Sequence, residues 1–137
     1  MIVLNFLEIL ISLVIIVLIG FFAIIAIPSI TYDDIKDRYN PYILRAMIEK
    51  NVRKIKENKG ILVIKKDAML LIEPSKINKI SLKNFEIKKI ICSQPTRQII
   101  RFINGEISLA GSILGKDWRL TIEPVTGRIR VHVPQVR

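Results

Sequence analysis

The sequence predicts an α+β fold, in which a long N-terminal helix packs on a C-terminal head of antiparallel β-sheet. Two observations predict it. Residues 9–27 form a run of nineteen positions without a charged side chain, and after Gly60 short β-branched segments alternate with turn residues. A helix that is apolar on one side, followed by antiparallel strands, buries its apolar side against the sheet. The first half of the helix is predicted to span a membrane.

The apolar run has the length of a membrane span. Nineteen residues at about 1.5 Å each extend about 28 Å as a helix, which matches a hydrocarbon core about 30 Å thick. A cleaved secretory peptide would have a basic start, a shorter apolar stretch and a small-residue cleavage site, and residues 1–30 show none of these. We therefore expect the helix to remain attached.

Glu8 immediately precedes this apolar run. A carboxylate in a spanning segment is costly and usually has a partner. Two interpretations are open: Glu8 lies in water at the level of the lipid headgroups, or it awaits a positive group from another chain. The natural candidate for that group is an α-amino terminus a few residues away.

Beyond the span, apolar residues between Ile30 and Ile55 recur at helical spacing, with charged residues opposite them. Asn40-Pro41 predicts a kink or short break, because the residue before proline avoids the α region and proline suits a first helical turn. Asn40 would then cap a segment from Pro41 to about Glu57. Asn58-Lys59-Gly60 predicts the end of the helix.

From Ile61 onward, period-two alternation and β-branched residues predict strands. The predicted strands are 61–64, 68–72, 85–91, 98–103, 118–123 and 128–133. Asn104-Gly105 predicts a type I′ hairpin, and the residues from Pro124 to Gly127 predict a turn. The chain thus divides into a transmembrane and assembly segment, 1–28, an amphipathic continuation of the helix, 29–59, and a β-rich globular head, 60–137.

The charge is unevenly distributed. The chain has 22 Lys and Arg against 12 Asp and Glu, a formal charge of +10. From Arg45 onward there are twenty basic residues against eight acidic ones, so this part carries +12. Such a field favours nucleic acid, anionic lipid or an acidic protein as a partner.

No catalytic pattern is present in the sequence. His132 is the only histidine and Cys92 the only cysteine, which argues against nucleophile–base pairs and Cys/His metal sites. The loop acids Asp67 and Glu73 have no motif around them. We therefore expect no enzyme activity, no cofactor and no metal, and an inert, buried thiol at Cys92.

Both ends of the chain resemble a known family. Residues 6–16, Phe-Leu-Glu followed by an apolar helix, resemble the start of type IV pilins and type II secretion pseudopilins, and Ala26-Ile27-Pro28-Ser29 resembles the exit from that helix. Three C-terminal segments resemble the minor pseudopilin family that includes GspH and FimT. These segments are 102–105, 111–113 and 119–131.

The resemblance implies a pilin-like fold and a minor pilin or pseudopilin. Such a subunit enters a type II secretion or type IV pilus-like filament, near its tip, through other pilins and the assembly platform. It is a single-pass protein of the inner (cytoplasmic) membrane whose head lies outside the cytoplasm. Glu8 would pair with a neighbouring methylated N-terminus and set the register of assembly.

Processing by the prepilin peptidase would fall between Val3 and Leu4, four places ahead of Glu8. The family has a basic leader ending in Gly at this point, and neither feature precedes Leu4. We therefore expect either a misassigned start codon or a diverged leader.

Two other functions stay open. Gly127-Arg128-Ile129-Arg130 resembles a Gly-Arg-x-Arg element linked to DNA binding in competence-associated FimT relatives, which implies Arg128 and Arg130 in DNA uptake for natural transformation. Strand geometry adds Arg119 and Arg137 as neighbours, although such a face can also serve solubility alone. The third possibility is a single-pass anchor with a basic domain unrelated to filaments, since the positive-inside rule would place a basic domain in the cytoplasm.

Overall fold

The computed structural model describes residues 2–26 and 32–134, and the chain divides into two compact units, Met1–Tyr32 and Asp33–Arg137. The first unit contains helix α1 (Ile2–Ala26). The second contains helix α2 (Tyr32–Asn58) and two antiparallel sheets. The predicted α+β fold is confirmed.

Helix α1 is apolar on all sides beyond Ser12 and carries three polar residues, Asn5, Glu8 and Ser12, in its first half. Its segment Ile2–Ile24, 23 residues long, is the one described helix long and apolar enough to cross a membrane, and none of that segment is buried within the structure. A helix that is hydrophobic all round requires an apolar environment, which a bilayer supplies. Pro28, predicted to close this helix, lies outside the described residues.

The sequence predicts a kink or a short break at Asn40-Pro41. Helix α2 continues through Pro41, so a break is wrong, and Asn40 lies within the helix rather than at its start. Leu44, Ile48 and Ile55, which share one face of α2, are fully buried. An interior proline costs about 3 kcal/mol, whereas each buried aliphatic side chain contributes about 1.5–3 kcal/mol. Packing of this face therefore outweighs the local preference of the Asn-Pro pair.

The predicted end of the helix at Asn58-Lys59-Gly60 is confirmed. Lys59 has a positive φ of 55°, and the Gly60 N–H donates to the Ile55 carbonyl at 2.9 Å. This six-to-one bond is the Schellman arrangement, with Lys59 in the left-handed position that glycine usually takes. Gly60 serves another purpose, because a Cβ there would lie 2.8 Å from the Ile72 carbonyl oxygen.

Within residues 32–134, nine strands form two sheets rather than the one predicted. The strands are β1 (Ile61–Ile64), β2 (Ala68–Ile72), β3 (Ile77–Ser81), β4 (Lys89–Cys92), β5 (Ile100–Ile103), β6 (Glu106–Leu109), β7 (Gly111–Leu114), β8 (Arg119–Ile122) and β9 (Ile129–His132). The first sheet has the order β3-β2-β1-β5-β6 and the second β4-β7-β8-β9. All neighbouring strands are antiparallel.

The predicted strand 85–91 is wrong in its first half. A 3₁₀ turn covers Lys83–Phe85, Glu86 has a positive φ of 50°, and β4 begins only at Lys89. This turn buries Phe85 and Ile87 and brings Glu86 to 3.3 Å from Lys36 Nζ on α2. Long-range packing decides the local conformation here.

The hairpin predicted at Asn104-Gly105 is confirmed. Ile103 pairs with Glu106, and both loop residues have positive φ, 53° and 89°, as a type I′ turn requires. The preceding strand is shorter than predicted, because β5 begins at Ile100. Strands β3, β6 and β7 have no counterpart among the predicted segments.

One hydrophobic core joins α2 to both sheets. Leu44, Ile48 and Ile55 of α2 belong to the same cluster as the inward residues of the strands. The first sheet contributes Leu62, Ile64, Met69, Leu71, Ile100 and Phe102, and the second contributes Ile90, Ile113, Leu120, Ile122 and Ile129. The outward faces of both sheets are left for other contacts.

Candidate functional site

The predicted arginine face lies on the β8–β9 hairpin. Thr121 pairs with Arg130 and Arg119 with His132. The turn between the strands is closed by backbone bonds from Glu123 N to the Arg128 carbonyl and from Gly127 N to the Glu123 carbonyl, each 3.0 Å. Gly127 has a φ of +65°, a conformation that glycine adopts without strain.

The alternation predicted for this segment is confirmed. Ile129 is buried, while Arg128, Arg130 and His132 are exposed on the opposite face. Arg119 joins them from β8 and is also exposed. Arg137, predicted as an adjunct, lies outside the described residues.

Arg130 forms a salt bridge with an acid of the same hairpin, Glu123. Its Nη2 lies 2.6 Å from Glu123 Oε1, and the Thr126 hydroxyl donates to Glu123 Oε2 at 2.7 Å. The Thr126 hydrogen bond, followed by the charges of Arg130 and Arg128, holds the pKa of Glu123 below its ordinary value, although desolvation acts in the opposite direction. Glu123 therefore stays ionised and neutralises part of the arginine face.

Arg119 is oriented by the neighbouring strand β7. Its Nη2 and Nε donate to the Ser112 hydroxyl at 3.1 and 3.3 Å, and that hydroxyl lies 3.3 Å from Thr121 Oγ1. Ser112 is buried beneath it. Since Arg119 forms no ion pair within the described residues, its charge is presented to solvent in a held orientation.

The face thus presents three guanidinium groups that differ in how they are held by neighbouring side chains. Arg128 makes no side-chain contact to an acid among residues 2–26 and 32–134, Arg119 is held by a hydroxyl, and Arg130 is paired. Guanidinium groups bind phosphates and carboxylates through paired N–H donors. The arrangement can contact a polyanion mainly through Arg128 and Arg119.

Glu8 lies on α1 with two polar neighbours that sequence analysis did not single out. Asn5, Glu8 and Ser12 are three and four residues apart and therefore share one side of the helix, along a shallow groove. The Ser12 hydroxyl donates to the Glu8 carbonyl oxygen at 2.9 Å. Val3 and Leu4, the predicted processing site, are exposed in the first turn of α1.

Helix α2 has an exposed apolar stripe besides its buried face. Ile35, Tyr39, Tyr42 and Ile43 recur at helical spacing and are all exposed. The buried face, with Leu44 and Ile48, packs on the sheets, so the stripe is a second apolar side on the N-terminal half of the same helix. Its signal in the sequence is the same periodicity that predicts the helix.

An ionic cluster around the buried carboxylate of Glu73 was missed by sequence analysis. The Glu73 side chain is 3 % exposed, with Lys54 Nζ 3.8 Å from its Oε1 and Lys76 Nζ 3.7 Å from its Oε2. Asn58 Nδ2 donates to Glu73 Oε1 at 3.0 Å, and this bond, with the two lysine charges, lowers the pKa of Glu73. The cluster joins the end of α2 to the β2–β3 connection, and no local motif marks it.

The sequence also predicts no metal site and an inert, buried thiol at Cys92. Within residues 2–26 and 32–134, no three His, Cys, Asp or Glu side chains lie close enough together to hold a metal ion. Cys92 is half-buried rather than buried as predicted, and its sulfur accepts a bond from Gln94 N at 3.3 Å.

No protein-family model, no curated protein and no solved structure matches the chain. The resemblance of both ends to pilin-like proteins therefore stays a prediction. What the structure contributes is the geometry of the apolar helix, the exposed stripe on α2 and the arginine face.

Proposed function

We propose that this chain is a subunit of a membrane-assembled filament, a minor pilin or pseudopilin of the GspH/FimT type, with a structural role near the filament tip. The observation that carries the proposal is the exposed stripe formed by Ile35, Tyr39, Tyr42 and Ile43 on α2. A helix that already buries one face in its own domain gains nothing from a second apolar face unless another chain covers it. A helical bundle would cover it.

In this proposal Glu8 fixes the register between neighbouring α1 helices. When α1 helices leave the bilayer and pack together, the carboxylate becomes desolvated beside the α-amino group of a neighbour. Coulomb attraction between the two charges is then stronger than in water. Removal of one charge leaves the other buried and uncompensated, which disfavours assembly by more than the intact pair favours it.

The same proposal includes where the protein lies in the cell and how its N-terminus is processed. The chain is anchored in the inner membrane by Ile2–Ile24, with the head outside the cytoplasm, and partners are other pilins and the assembly platform. The prepilin peptidase releases a new N-terminus at Leu4 or after a longer leader, and that amine is methylated.

The first test is the mass and N-terminal sequence of the protein recovered from native membranes. We expect a chain that begins with a methylated amine. An unmodified Met1 would overturn the pairing of Glu8 with a processed N-terminus and favour a plain membrane anchor.

A second test measures assembly directly. We expect Glu8→Gln to remain in the membrane fraction but to lose chemical cross-links to neighbouring subunits. The matched control is Ser12→Ala, one turn along the same side of α1, which keeps the carboxylate. Equal cross-linking of Glu8→Gln and the unchanged protein would contradict the assembly role.

Arg128 favours a second candidate function, DNA binding for uptake. It is exposed, forms no salt bridge within 4.0 Å among the described residues, and directly precedes β9, on which Arg130 is exposed. Contacts of this kind reach phosphates, so binding would be independent of sequence and sensitive to salt.

The test is duplex binding by the full chain in detergent over a salt series. We expect Arg128→Gln to weaken binding uniformly across sequences and to reduce the salt slope by about one. Lys66→Gln, an exposed substitution in the β1–β2 connection, is the control for net charge. An equal loss in both variants would assign binding to overall charge and not to the arginine face.

A further inference from the structure

The outward face of the first sheet is aliphatic. Ile77, Ile72, Ile61 and Ile103 are cross-strand partners in one row over β3, β2, β1 and β5. Leu70 and Val63 pair with each other in the next outward row. We call Ile61, Val63, Leu70, Ile72, Ile77 and Ile103 the aliphatic face.

This face is uncovered at both ends. Ile77 is 70 % exposed and Ile103 is 37 % exposed, while the other four residues of the aliphatic face are half-buried. The opposite side of the same strands supplies fully buried residues such as Leu62 and Ile64 to the core. A strand needs only one apolar face to pack on its core, so the second one requires another explanation.

Two cations and one acid border the aliphatic face. Lys79 pairs with Leu70 and Arg101 with Val63, so the two aliphatic side chains of the second outward row lie between positive charges. The first row continues from Ile103 to the exposed Glu106 on β6. Among the residues that the structure describes, neither cation contacts a carboxylate. Arg101 donates only to the Ser108 hydroxyl, at 3.3 Å, and its buried Nε has no hydrogen-bond partner.

We propose that the aliphatic face is a docking surface for another protein whose contact site is aliphatic and bordered by carboxylates. Charge complementarity argues for the acids, since the part of the chain from Arg45 onward carries twenty basic against eight acidic residues. A second copy of this chain would bring two cations and a single acid, Glu106, against the same set of charges, so it matches the face less well. A lipid surface fits less well, because the central side chains lie half-buried in the sheet rather than protruding into a bilayer.

The proposal does not rest on the filament role. A partner of this chemistry could be another filament subunit or a protein of the membrane surroundings. Failure of Glu8 to direct assembly would leave it unaffected.

The test uses the full chain in its own membrane, with the photoreactive residue p-benzoylphenylalanine as the probe at Ile77 or Ile103. Val125, which is 90 % exposed on the β8–β9 turn, carries the same probe as the control position. Cross-linked products are isolated, and the attached peptide is sequenced by mass spectrometry. The measurement is repeated with Lys79→Glu and Arg101→Glu together, and with Lys79→Arg and Arg101→Lys together.

We expect one product at Ile77 and Ile103 that is absent at Val125, with its attachment point in an aliphatic, acid-bordered segment of another protein. The double charge reversal should reduce its yield by about tenfold, because like charges then face each other, while the charge-preserving pair keeps it. A product that contains this chain's own sequence, a lipid adduct, no product, or a yield unaffected by charge reversal would each overturn the proposal. Unchanged thermal unfolding of the reversed variant separates lost docking from lost folding.

Discussion

Arg130 and Glu123 form a diagonal salt bridge across the β8–β9 hairpin, with Nη2 of the arginine 2.6 Å from Oε1 of the glutamate. The Thr126 hydroxyl holds the other carboxylate oxygen at 2.7 Å. One of the two arginines in Gly127-Arg128-Ile129-Arg130 is therefore engaged within its own hairpin. Any polyanion that approaches this face meets a carboxylate beside the cations.

The pair predicts how Glu123→Gln will act. If the arginine face binds DNA, removal of the carboxylate frees Arg130 and removes a repulsive charge, so affinity for duplex should rise and the salt slope should steepen by about one phosphate contact. Fluorescence anisotropy with a labelled duplex measures both. Glu106→Gln, which makes the same change of charge on β6, is the control. An equal rise in both variants would mean that only total charge matters.

The two apolar sides of α2 predict that the same substitution, Ile→Ala, has different effects on stability at Ile48 and at Ile43. Ile48 is 0 % exposed and Ile43 is 51 % exposed. Ile48→Ala should lower the free energy of unfolding by about 2–5 kcal/mol, because it leaves a cavity. Ile43→Ala should change it by less than about 0.5 kcal/mol, as exposed positions do.

The measurement is thermal or denaturant unfolding of the full chain in detergent, together with cross-linking to neighbouring subunits in membranes. Ile43→Ala should reduce cross-linking despite its native stability. A stable Ile43→Ala protein with undiminished cross-linking would remove the support that the stripe lends to the filament proposal.

The packing of Trp118 against Gly115 predicts that a side chain at position 115 destabilises the head. The Gly115 N–H donates to the Trp118 carbonyl at 2.9 Å, and a Cβ at position 115 would overlap the indole ring. Gly115→Ala should therefore destabilise the head by about 1–3 kcal/mol through overpacking. Chemical denaturation followed by Trp118 fluorescence measures the change. Asp117→Ala, exposed in the same turn, should leave the unfolding midpoint almost unchanged.

Glu73 predicts an acid-dependent loss of stability. Asn58 and the two lysines lower its pKa from the ordinary 4.5. A carboxyl whose folded pKa is lowered stabilises the fold above that ordinary value, and the contribution disappears as the pH falls through the lowered folded pKa. The unchanged protein should therefore exceed Glu73→Gln in melting temperature near neutral pH, and the difference should shrink below 4.5.

Thermal unfolding of both proteins over a pH series from about 7 to about 3 checks this expectation. Glu106→Gln, an exposed substitution on β6, is the control for general acid denaturation. A difference between Glu73→Gln and the unchanged protein that stayed constant over the whole series would show that the ionised carboxylate does not stabilise the fold.

Several features follow from the sequence because they depend on neighbouring residues alone. The apolar run after Glu8 predicts α1 by its length, and Asn104-Gly105 predicts the hairpin by its backbone preference. Strict alternation places Arg128 and Arg130 opposite Ile129. Local periodicity and turn chemistry are sufficient in each case.

Other features depend on residues that only the tertiary structure brings together. Packing against two sheets carries α2 through Asn40-Pro41, and the turn at Glu86 replaces a predicted strand because Phe85 enters the core. The ionic cluster around Glu73 and the aliphatic face around Ile61 depend on strand pairing between distant segments. The sequence by itself determined the helical segments, the strands β1, β2, β5, β8 and β9, and which faces of these elements are apolar. The tertiary structure decided which of those apolar faces are buried and which charges are paired, because both depend on contacts between residues far apart in the chain.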